Sequence, residues 1–345
     1  MNEYERRLQN FTKESCAKET KTIPKSMVDS ATNTPSPAPI SASLPQIRSP
    51  ANALSFATVD VFTTSSFKGN QLAVVELPAG FDPTPEMKHT IAREFNFSET
   101  VFVYPTAPDT FEDSRRLSIF TLNGELPFAG HPVIGAACHI CQNVEVGANK
   151  IYLRCLAGLI QVQYNQDERI AEIQVPHEVR IHRQPVSARA VLKSQSYLSR
   201  TSIITSELPV ASIVKGMSFV LVNLPSTVSH LEKLEGGPLG VDVSSVHLDE
   251  KWPSTFIGCY FYVIESHPSE RVVRLRTRML EASVGEDAAT GSAACTLACF
   301  LALKDGKQGK TYKYAIEQGV EMGRASEIFV IVTLGLTGVV HKVVL

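Results

Sequence analysis

The sequence predicts an α+β protein with two pseudo-symmetric lobes. The chain has 345 residues, 43% of them hydrophobic and 20% charged, so it is long enough for two lobes that each bury a core. Two distant segments share one design, in which strands are followed by a polar, glycine-containing loop and a helix of small residues. These helices contain GAACHIC (135–141) and SAACTLAC (292–299). If the segments are structurally equivalent, both helix starts face one cleft.

Residues 1–54 differ in composition from the rest of the chain. A mixed-charge opening gives way to SATNTPSPAPISASLPQIRSP, which offers little apolar surface to bury. Such a segment cannot offset the entropy that it would lose on ordering, so we predict a disordered tail over 1–54. The predicted N-terminal lobe covers 55–177 and the C-terminal lobe 178–345, with the alternative that the final strand returns to the N-terminal lobe.

The elements of the N-terminal lobe follow from hydrophobic periodicity. The segments FATVDVF (56–62) and NQLAVVEL (70–77) indicate two strands joined by a turn at Gly69-Asn70. Helical spacing follows in TPEMKHTIAREF (84–95), and two further strands are predicted in TVFVYP (100–105) and RRLSIFT (115–121).

The segment GELPFAGHPVIGAACHIC (124–141) marks the start of the first small-residue helix. Proline is tolerated in the first turn of a helix, so Gly130-His131-Pro132 predicts a helix that begins at or just after His131. The first amides of a helix are an anion-binding site.

The second lobe repeats this pattern. Strands are predicted in FVLVNLP (219–225), CYFYVIES (259–266) and RVVRLRTRML (271–280), and the second small-residue helix lies in GEDAATGSAACTLACFLALK (285–304). The final segment, 328–345, is apolar but is interrupted by Gly, His and Lys and is rich in β-branched residues. It therefore predicts two strands around a turn, and no membrane span.

Composition excludes several classes of function. The net charge is −2 and the pI is near 6.5, so there is no basic surface for nucleic acid. Seven cysteines, an odd number, fall mostly in apolar stretches, which favours free thiols in a reducing compartment. The N-terminus lacks a signal-peptide pattern, and its glutamates argue against a transit peptide. We therefore expect a cytoplasmic protein with no membrane partner.

Three ionisable residues are candidates for chemistry. Glu99, in NFSETVFVYP, enters an apolar strand, where partial burial would raise the pKa of a carboxyl group; the alternative is an exposed glutamate at a strand end. His131 can position a substrate or relay a proton, or simply help to cap its helix. Asp287 precedes a helix, and either Asp287 or Thr290 is available as a cap.

Both helix starts are predicted to bind an anion. The amides of Thr290, Gly291 and Ser292 would point at it from one helix, opposite the start at Gly130 and Pro132 on the other. Since the macrodipole adds about half a positive charge at each start, two starts could hold a carboxylate without an arginine.

Two other motifs do not predict a binding site. Gly-Lys-Thr at 309–311 lacks the glycine that a phosphate loop needs five positions earlier, because Lys304 stands there. The pair of thiols in CHIC (138–141) has metal-ligand spacing but no second pair nearby, so no metal site is predicted.

Five ordered blocks over residues 56–345 are similar to the phenazine-biosynthesis PhzF-like family. These blocks are VDVFTTSSFKGNQLAVV, REFNFSETVFV, IFTLNGELPFAGHPVIGAA, GEDAATGSAACTLACFLA and EQGVEMGR. The resemblance implies a diaminopimelate-epimerase-like fold, in which each lobe wraps a mixed β-sheet around a central α-helix. It also implies an active site between the lobes.

The resemblance assigns roles to the candidate residues. It implies that Glu99, from the Ser-Glu-Thr block, is the acid/base and that His131 and Asp287 position the substrate. Related epimerases use two cysteines at the same helix starts, and neither start carries a thiol here, which disfavours a two-thiol epimerase. Leu122, Gln71 and Ala288 stand where the family commonly has proline, and these departures leave the pocket shape and the substrate open.

Together these observations predict an isomerase without a cofactor, in which Glu99 moves a proton between carbons of a small, carboxylate-bearing substrate. The alternatives are a cyclase or rearrangement enzyme of secondary metabolism and a non-catalytic small-molecule-binding protein on the same fold. A homodimer is also expected. The predicted substrate-binding residues are Gly130, Pro132, Thr290, Gly291, Ser292 and Asn70.

Overall fold

The structure is a computed structural model that describes residues 16–17, 53–106, 114–193, 195–199, 205–225, 227–237, 246–253, 256–265, 271–281 and 285–345. The predicted disordered tail lies outside these residues except at 16–17 and 53–54. Cys16–Ala17 form a short strand, β1, that pairs antiparallel with Asp60 and Val61.

A nine-stranded sheet forms the N-terminal lobe. Its other strands are β2 (Ser55–Val61), β3 (Asn70–Glu76), β4 (Glu99–Thr106), β5 (Arg115–Thr121), β6 (Gly124–Leu126), β7 (Lys150–Cys155), β8 (Gly158–Asn165) and β9 (Ile170–Ile173). They lie in the order β1-β2-β3-β4-β5-β7-β8-β9, with β6 paired to β5. Two helices belong to this lobe, α1 (Pro85–Phe95) and α2 (Gly130–Asn143).

A second nine-stranded sheet forms the C-terminal lobe. Its strands are β10 (Arg180–Ile181), β13 (Val210–Val214), β14 (Met217–Asn223), β15 (Phe256–Ile264), β16 (Val272–Glu281), β17 (Glu286–Asp287), β18 (Thr311–Gln318), β19 (Ser326–Leu334) and β20 (Val340–Val344). A separate hairpin pairs β11 (Val186–Ser187) with β12 (Glu207–Leu208). The helices are α3 (Ala188–Leu192), α4 (Ser196–Ser199), α5 (Ser229–Glu232) and α6 (Gly291–Asp305).

The two sheets share one connectivity. In the first sheet the parallel pairs are β3 with β4 and β5 with β7, and all other pairs are antiparallel. In the second sheet the parallel pairs are β14 with β15 and β16 with β18, at the same places in the strand order. Helix α2 connects β6 to β7, and α6 connects β17 to β18. The lobes are therefore pseudo-equivalent, as the two small-residue helices predicted.

Each sheet wraps around its small-residue helix. Residues 130–141 of α2 are all buried, and α6 is buried over most of its length. Small side chains permit this close packing: a Cβ atom on Gly135 would lie 2.5 Å from Leu72 Cδ2. The first helix begins at Gly130, one residue before the predicted start, and its N-cap residue, Ala129, makes no side-chain cap bond. Thr290, at the N-cap of α6, makes none either.

Helices cover the outer face of each sheet. Helix α1 covers the first sheet, where Phe102 and Phe120 pack edge to face with centroids 5.7 Å apart. On the second sheet, Val191, Leu198 and Leu231 from the short helices pack against β14 and β15. These layers leave the concave faces for α2, α6 and the residues between the lobes.

The chain end links the two sheets. The final strand, β20, pairs with β19 in the second sheet. Leu345, which follows this strand, exchanges two backbone hydrogen bonds with Ile173 at the end of β9, at 2.9 and 3.0 Å, and the Val175 amide donates to Val343 O at 3.0 Å. Within the described ranges, no helix is long and apolar enough to cross a membrane.

Candidate active site

Glu99 faces the interior of the N-terminal lobe. It is the first residue of β4 and pairs with Leu72 on β3. Because side chains alternate along a strand, Glu99 lies on the same face as Val101 and Val103, which pack in the core around α2. Its side chain is 14% exposed. The carboxyl group therefore points towards the start of α2 and away from solvent.

Glu99 meets His131 at the start of α2. Glu99 Oε2 lies 3.5 Å from His131 Nε2, and the His131 side chain is only 3% exposed. Neither atom has a hydrogen-bond partner among the described residues, although both are buried. Buried polar atoms in folded proteins are nearly always paired with protein groups or with water, so these two facing atoms are available to hydrogen-bond a water molecule or a ligand.

Burial shifts the pKa of both groups. Burial raises the pKa of Glu99 to about 7, against a smaller lowering by a hydrogen bond from Ser98. Burial lowers the pKa of His131 to about 4, against the attraction of the Asp287 charge and a hydrogen bond to the backbone of Gln71. At neutral pH the imidazole is therefore uncharged, while Glu99 exists in both protonation states.

Asp287 is fixed from both sides of the lobe boundary. Asn70, on the N-terminal lobe, donates from Nδ2 to Asp287 Oδ1 at 2.7 Å and to Ala289 O at 2.9 Å. The Thr290 hydroxyl donates to Asp287 Oδ2 at 2.6 Å. Both carboxylate oxygens are thus held, and both amide hydrogens of Asn70 are used within the protein. Burial and the Glu99 charge raise the pKa of Asp287.

Gln318 is part of this network, although sequence reasoning did not select it. Its side chain is fully buried and donates to Asp287 O at 2.8 Å and to Thr290 Oγ1 at 3.0 Å. Gln318 Oε1 accepts from the Thr290 amide at 3.1 Å and from the Tyr260 hydroxyl at 2.9 Å. The Thr290 N–H, expected to face an anion, is therefore already bonded, which leaves Gly291 and Ser292 to supply amides from this helix.

The two helix starts meet at the lobe boundary. A Cβ atom on Gly130 would lie 3.3 Å from Gly291 Cα and 2.7 Å from Leu345 Cδ2. The first amides of each helix have no partner within the helix. The structure therefore brings Gly130, His131 and Pro132 beside Gly291 and Ser292, as the pseudo-repeat predicted.

A third carboxyl group faces the same place. Glu281 ends β16, on the same face of the strand as Met279, which pairs with Asp287. Burial and the charges of Asp287 and Glu99 raise the pKa of Glu281. The local sequence, a glutamate at the end of an apolar strand, did not distinguish it from an exposed side chain.

Other candidate groups lie elsewhere and have structural partners. The six cysteines whose side chains are described are buried, and no disulfide joins them. His139, between two of them, contacts Glu76 Oε1 through Nε2 at 2.6 Å. Within the described part of the chain, no group of three or more His, Cys, Asp or Glu side chains is placed to hold a metal ion.

Comparison with known proteins identifies the family. The model of the phenazine biosynthesis-like protein family matches residues 59–343. The chain belongs to this family. Among curated relatives, an uncharacterized isomerase of Mesorhizobium japonicum is 33% identical over 275 residues, covering 78% of this chain and 87% of the relative. The trans-2,3-dihydro-3-hydroxyanthranilate isomerase of Pseudomonas chlororaphis is 30% identical over 282 residues, covering 79% and 88%.

Solved structures show the same fold. A PhzF-family phenazine biosynthesis protein of Bacillus anthracis has a TM-score of 0.64 at 18% identity, covering 84% of this chain and 93% of its own. A predicted epimerase of Pseudomonas aeruginosa has a TM-score of 0.61 at 22% identity, covering 85% and 95%. The fold predicted from the sequence is confirmed, and the family relatives make this chain an isomerase.

Proposed function

We propose that this isomerase moves a proton between two carbons of a small, carboxylate-bearing substrate without a cofactor, and that Glu99 is the single acid/base. The observation that carries the proposal is the buried pair of Glu99 Oε2 and His131 Nε2, 3.5 Å apart at the start of α2 and without partners among the described residues. A group aimed at a reacting atom needs to remain available in this way.

One carboxyl group is sufficient for both halves of such a reaction. The Glu99 carboxylate takes a proton from one carbon, and the electron pair of the broken C–H bond passes into the conjugated system of the substrate. The protonated Glu99 then returns a proton to another carbon, so charge and atoms balance. A pKa of about 7 makes the base and the acid comparable in stability at neutral pH.

His131 and Asp287 are proposed to hold the substrate. The uncharged His131 ring can hydrogen-bond a polar group of the substrate beside the reacting carbon. Asp287, fixed by Asn70 and Thr290, supplies a carboxylate of set orientation. Precise orientation of this kind lowers the barrier because less freedom is lost in the transition state.

The helix starts are proposed to bind the substrate carboxylate. The amides of His131, Gly291 and Ser292 and the positive ends of both helix dipoles lie together at the lobe boundary. This arrangement favours an anion over a neutral ligand. Three curated relatives are named trans-2,3-dihydro-3-hydroxyanthranilate isomerase, and this carboxylate-bearing compound is therefore the first substrate to test.

Deuterium incorporation tests the proposed reaction. The enzyme is incubated with trans-2,3-dihydro-3-hydroxyanthranilate in heavy water, and the products are followed by NMR. We expect an isomer of the same mass apart from deuterium at the carbon that receives the proton. A cyclised or rearranged skeleton would support the alternative of a cyclase. Saturable binding with neither product nor deuterium would support the non-catalytic alternative.

The pH dependence of kcat/KM follows from the Glu99 pKa. Proton abstraction needs the carboxylate, so kcat/KM is expected to fall about tenfold per pH unit below pH 7, where Glu99 becomes protonated. His131, with a pKa of about 4, stays uncharged over this range and adds no second acid limb near neutrality. A profile that is flat from pH 5 to 8, measured from initial rates, would contradict Glu99 as the base.

The thiols are expected to be dispensable. Burial raises the pKa of Cys141 to about 12 and raises that of Cys155, so neither forms a thiolate near neutral pH. Treatment of the folded enzyme with iodoacetamide should leave kcat unchanged. Inactivation that the substrate prevents would contradict this expectation, and a Cys16→Ser variant serves as the control for labelling in the N-terminal segment.

A further inference from the structure

Two loops clasp the lobes together next to Asp287. We call this contact the interlobe clasp; it consists of Asp60 and residues 67–70 of the N-terminal lobe and residues 323–325 of the C-terminal lobe. The Gly69 amide donates to Ala325 O at 3.1 Å, and Lys68 Nζ donates to Gly323 O at 2.7 Å. These bonds join segments that are distant in the chain: Lys68 and Gly323 are separated by 255 positions.

Arg324 is the centre of the clasp. Its Nε donates to Gly69 O at 2.8 Å, and its Nη2 donates to Asp60 Oδ1 at 2.7 Å and to Lys68 O at 3.1 Å. A further bond runs from Nη1 to Phe67 O at 3.3 Å. The planar guanidinium fork can satisfy several acceptors at fixed angles, which a lysine ammonium cannot do. Arg324 therefore fixes the backbone of the 67–69 turn from the opposite lobe.

The turn that Arg324 fixes leads directly into Asn70. Gly69 has a φ of 68°, and a Cβ atom there would lie 2.2 Å from Val61 O, so the turn has little freedom to rearrange. Asn70 follows at once and bonds Asp287 Oδ1 and Ala289 O. Movement of the Gly69 carbonyl would displace the Asn70 amide, and with it one of the two bonds to the Asp287 carboxylate.

The segment that carries Arg324 also packs against the backbone next to Asp287. The Ser326 hydroxyl donates to Ala288 O at 3.1 Å, and a Cβ atom on Gly319 would lie 2.5 Å from the same oxygen. The Arg324 amide closes the loop by donating to Gly319 O at 2.9 Å. One loop thus holds both the Asp287 backbone and the turn that positions Asn70.

We infer that Arg324 is a positioning residue, which holds Asn70 against Asp287 across the lobe boundary and so sets the orientation and ionisation of that carboxyl group. The inference rests on the proposed function only in giving Asp287 a part in substrate binding. Arg324 itself does not touch the Asp287 side chain; it acts through the Gly69-Asn70 turn.

The test follows the Asp287 carboxyl group by ¹³C NMR in enzyme labelled at aspartate, with the signal assigned by its loss in Asp287→Asn. In Arg324→Ala the Asn70 bond is weakened, so the Asp287 pKa should rise by about one pH unit. Lys68→Ala is the matched control, because it removes one positive charge and one bond from the same clasp. It should leave the Asp287 pKa unchanged.

A double-mutant cycle separates this role from a merely structural one. Asn70→Ala alone should raise the Asp287 pKa, and adding Arg324→Ala should raise it no further. The charged or titratable groups that face Asp287 are Glu99 on β4, His131 on α2, Tyr260 on β15 and Glu281 on β16, and none is altered in these variants. An Arg324→Ala effect that persists in full without Asn70 would overturn the inference.

Two further measurements complete the test. Millimolar guanidinium should restore the wild-type titration in Arg324→Ala, and Arg324→Lys, which keeps the charge but loses the fork, should titrate like Arg324→Ala. If Arg324→Ala does not fold, the Asp287 titration in Arg324→Lys alone tests the inference. A wild-type titration in either folded Arg324 variant overturns the inference. Because the readout uses no substrate, its failure is distinct from failure of the proposed reaction.

Discussion

Glu99→Gln is expected to lower kcat by about a hundred- to ten-thousand-fold while substrate binding persists. Glutamine is nearly isosteric with glutamate but cannot carry a proton between two carbons. It retains a polar group to face His131 Nε2, which lies 3.5 Å from Glu99 Oε2. The variant should therefore fold and bind the substrate, and the loss should appear in kcat with little change in the dissociation constant. Single-turnover kinetics and calorimetric binding measure the two quantities separately.

The matched control is Glu125→Gln, which alters an exposed glutamate of β6 in the same lobe. It should turn over like wild type. Glu99→Asp adds a second comparison, since it keeps the carboxyl group but shortens its reach, and it should retain more activity than Glu99→Gln. Wild-type turnover in Glu99→Gln would remove Glu99 from the mechanism.

Glu99→Gln is also expected to stabilise the protein above neutral pH. The ordinary pKa of a glutamate is 4.5, and burial raises that of Glu99 to about 7 in the folded state. A raised pKa means that the neutral carboxyl group is favoured by folding. The contribution of the neutral Glu99 carboxyl group to the stability of the folded protein is fully present below about pH 4.5 and is lost as the pH rises through 7. At about pH 8.5 the charged Glu99 costs about 3 kcal/mol of folding free energy, which Glu99→Gln removes.

Urea unfolding of wild type and Glu99→Gln, at about pH 5 and about pH 8.5, measures this effect. The advantage of the variant should be small in acid and largest in base. Glu125→Gln should show no such pH-dependent difference from wild type. Equal stability of wild type and Glu99→Gln at the higher pH would mean that Glu99 is well solvated in the folded protein. A gain in stability at the expense of activity is common where a polar group is buried for function.

Much of the fold could be predicted from local patterns. Apolar periodicity placed the strands, and Gly-His-Pro placed the start of α2 to within one residue, because proline and small residues restrict what the backbone can do there. Strand alternation also indicates why Glu99 faces inward, since it shares a face with the buried Val101 and Val103. These are short-range effects, which a sequence displays directly.

The network around Asp287 could not be predicted in this way. Asn70 and Asp287 are separated by 217 positions, and their hydrogen bond exists only because the lobes pack together. Gln318 ends an ordinary strand, and nothing in its neighbourhood shows that its amide will bond the Thr290 amide. Arg324 stands in a loop of the last sequence block, where an exposed arginine would be equally consistent with the pattern. Side-chain pairs across lobes depend on packing, which periodicity does not specify.

The proposed mechanism requires Glu99 to be a buried acid/base between the two lobes that titrates near neutral pH. Titration of the Glu99 carboxyl carbon by ¹³C NMR in glutamate-labelled enzyme, with the signal assigned by its loss in Glu99→Gln, measures this property. The structure predicts a midpoint of about 7, raised by burial. A midpoint near 4.5, the ordinary value for a glutamate in water, would contradict the proposed role of Glu99 as a buried acid/base.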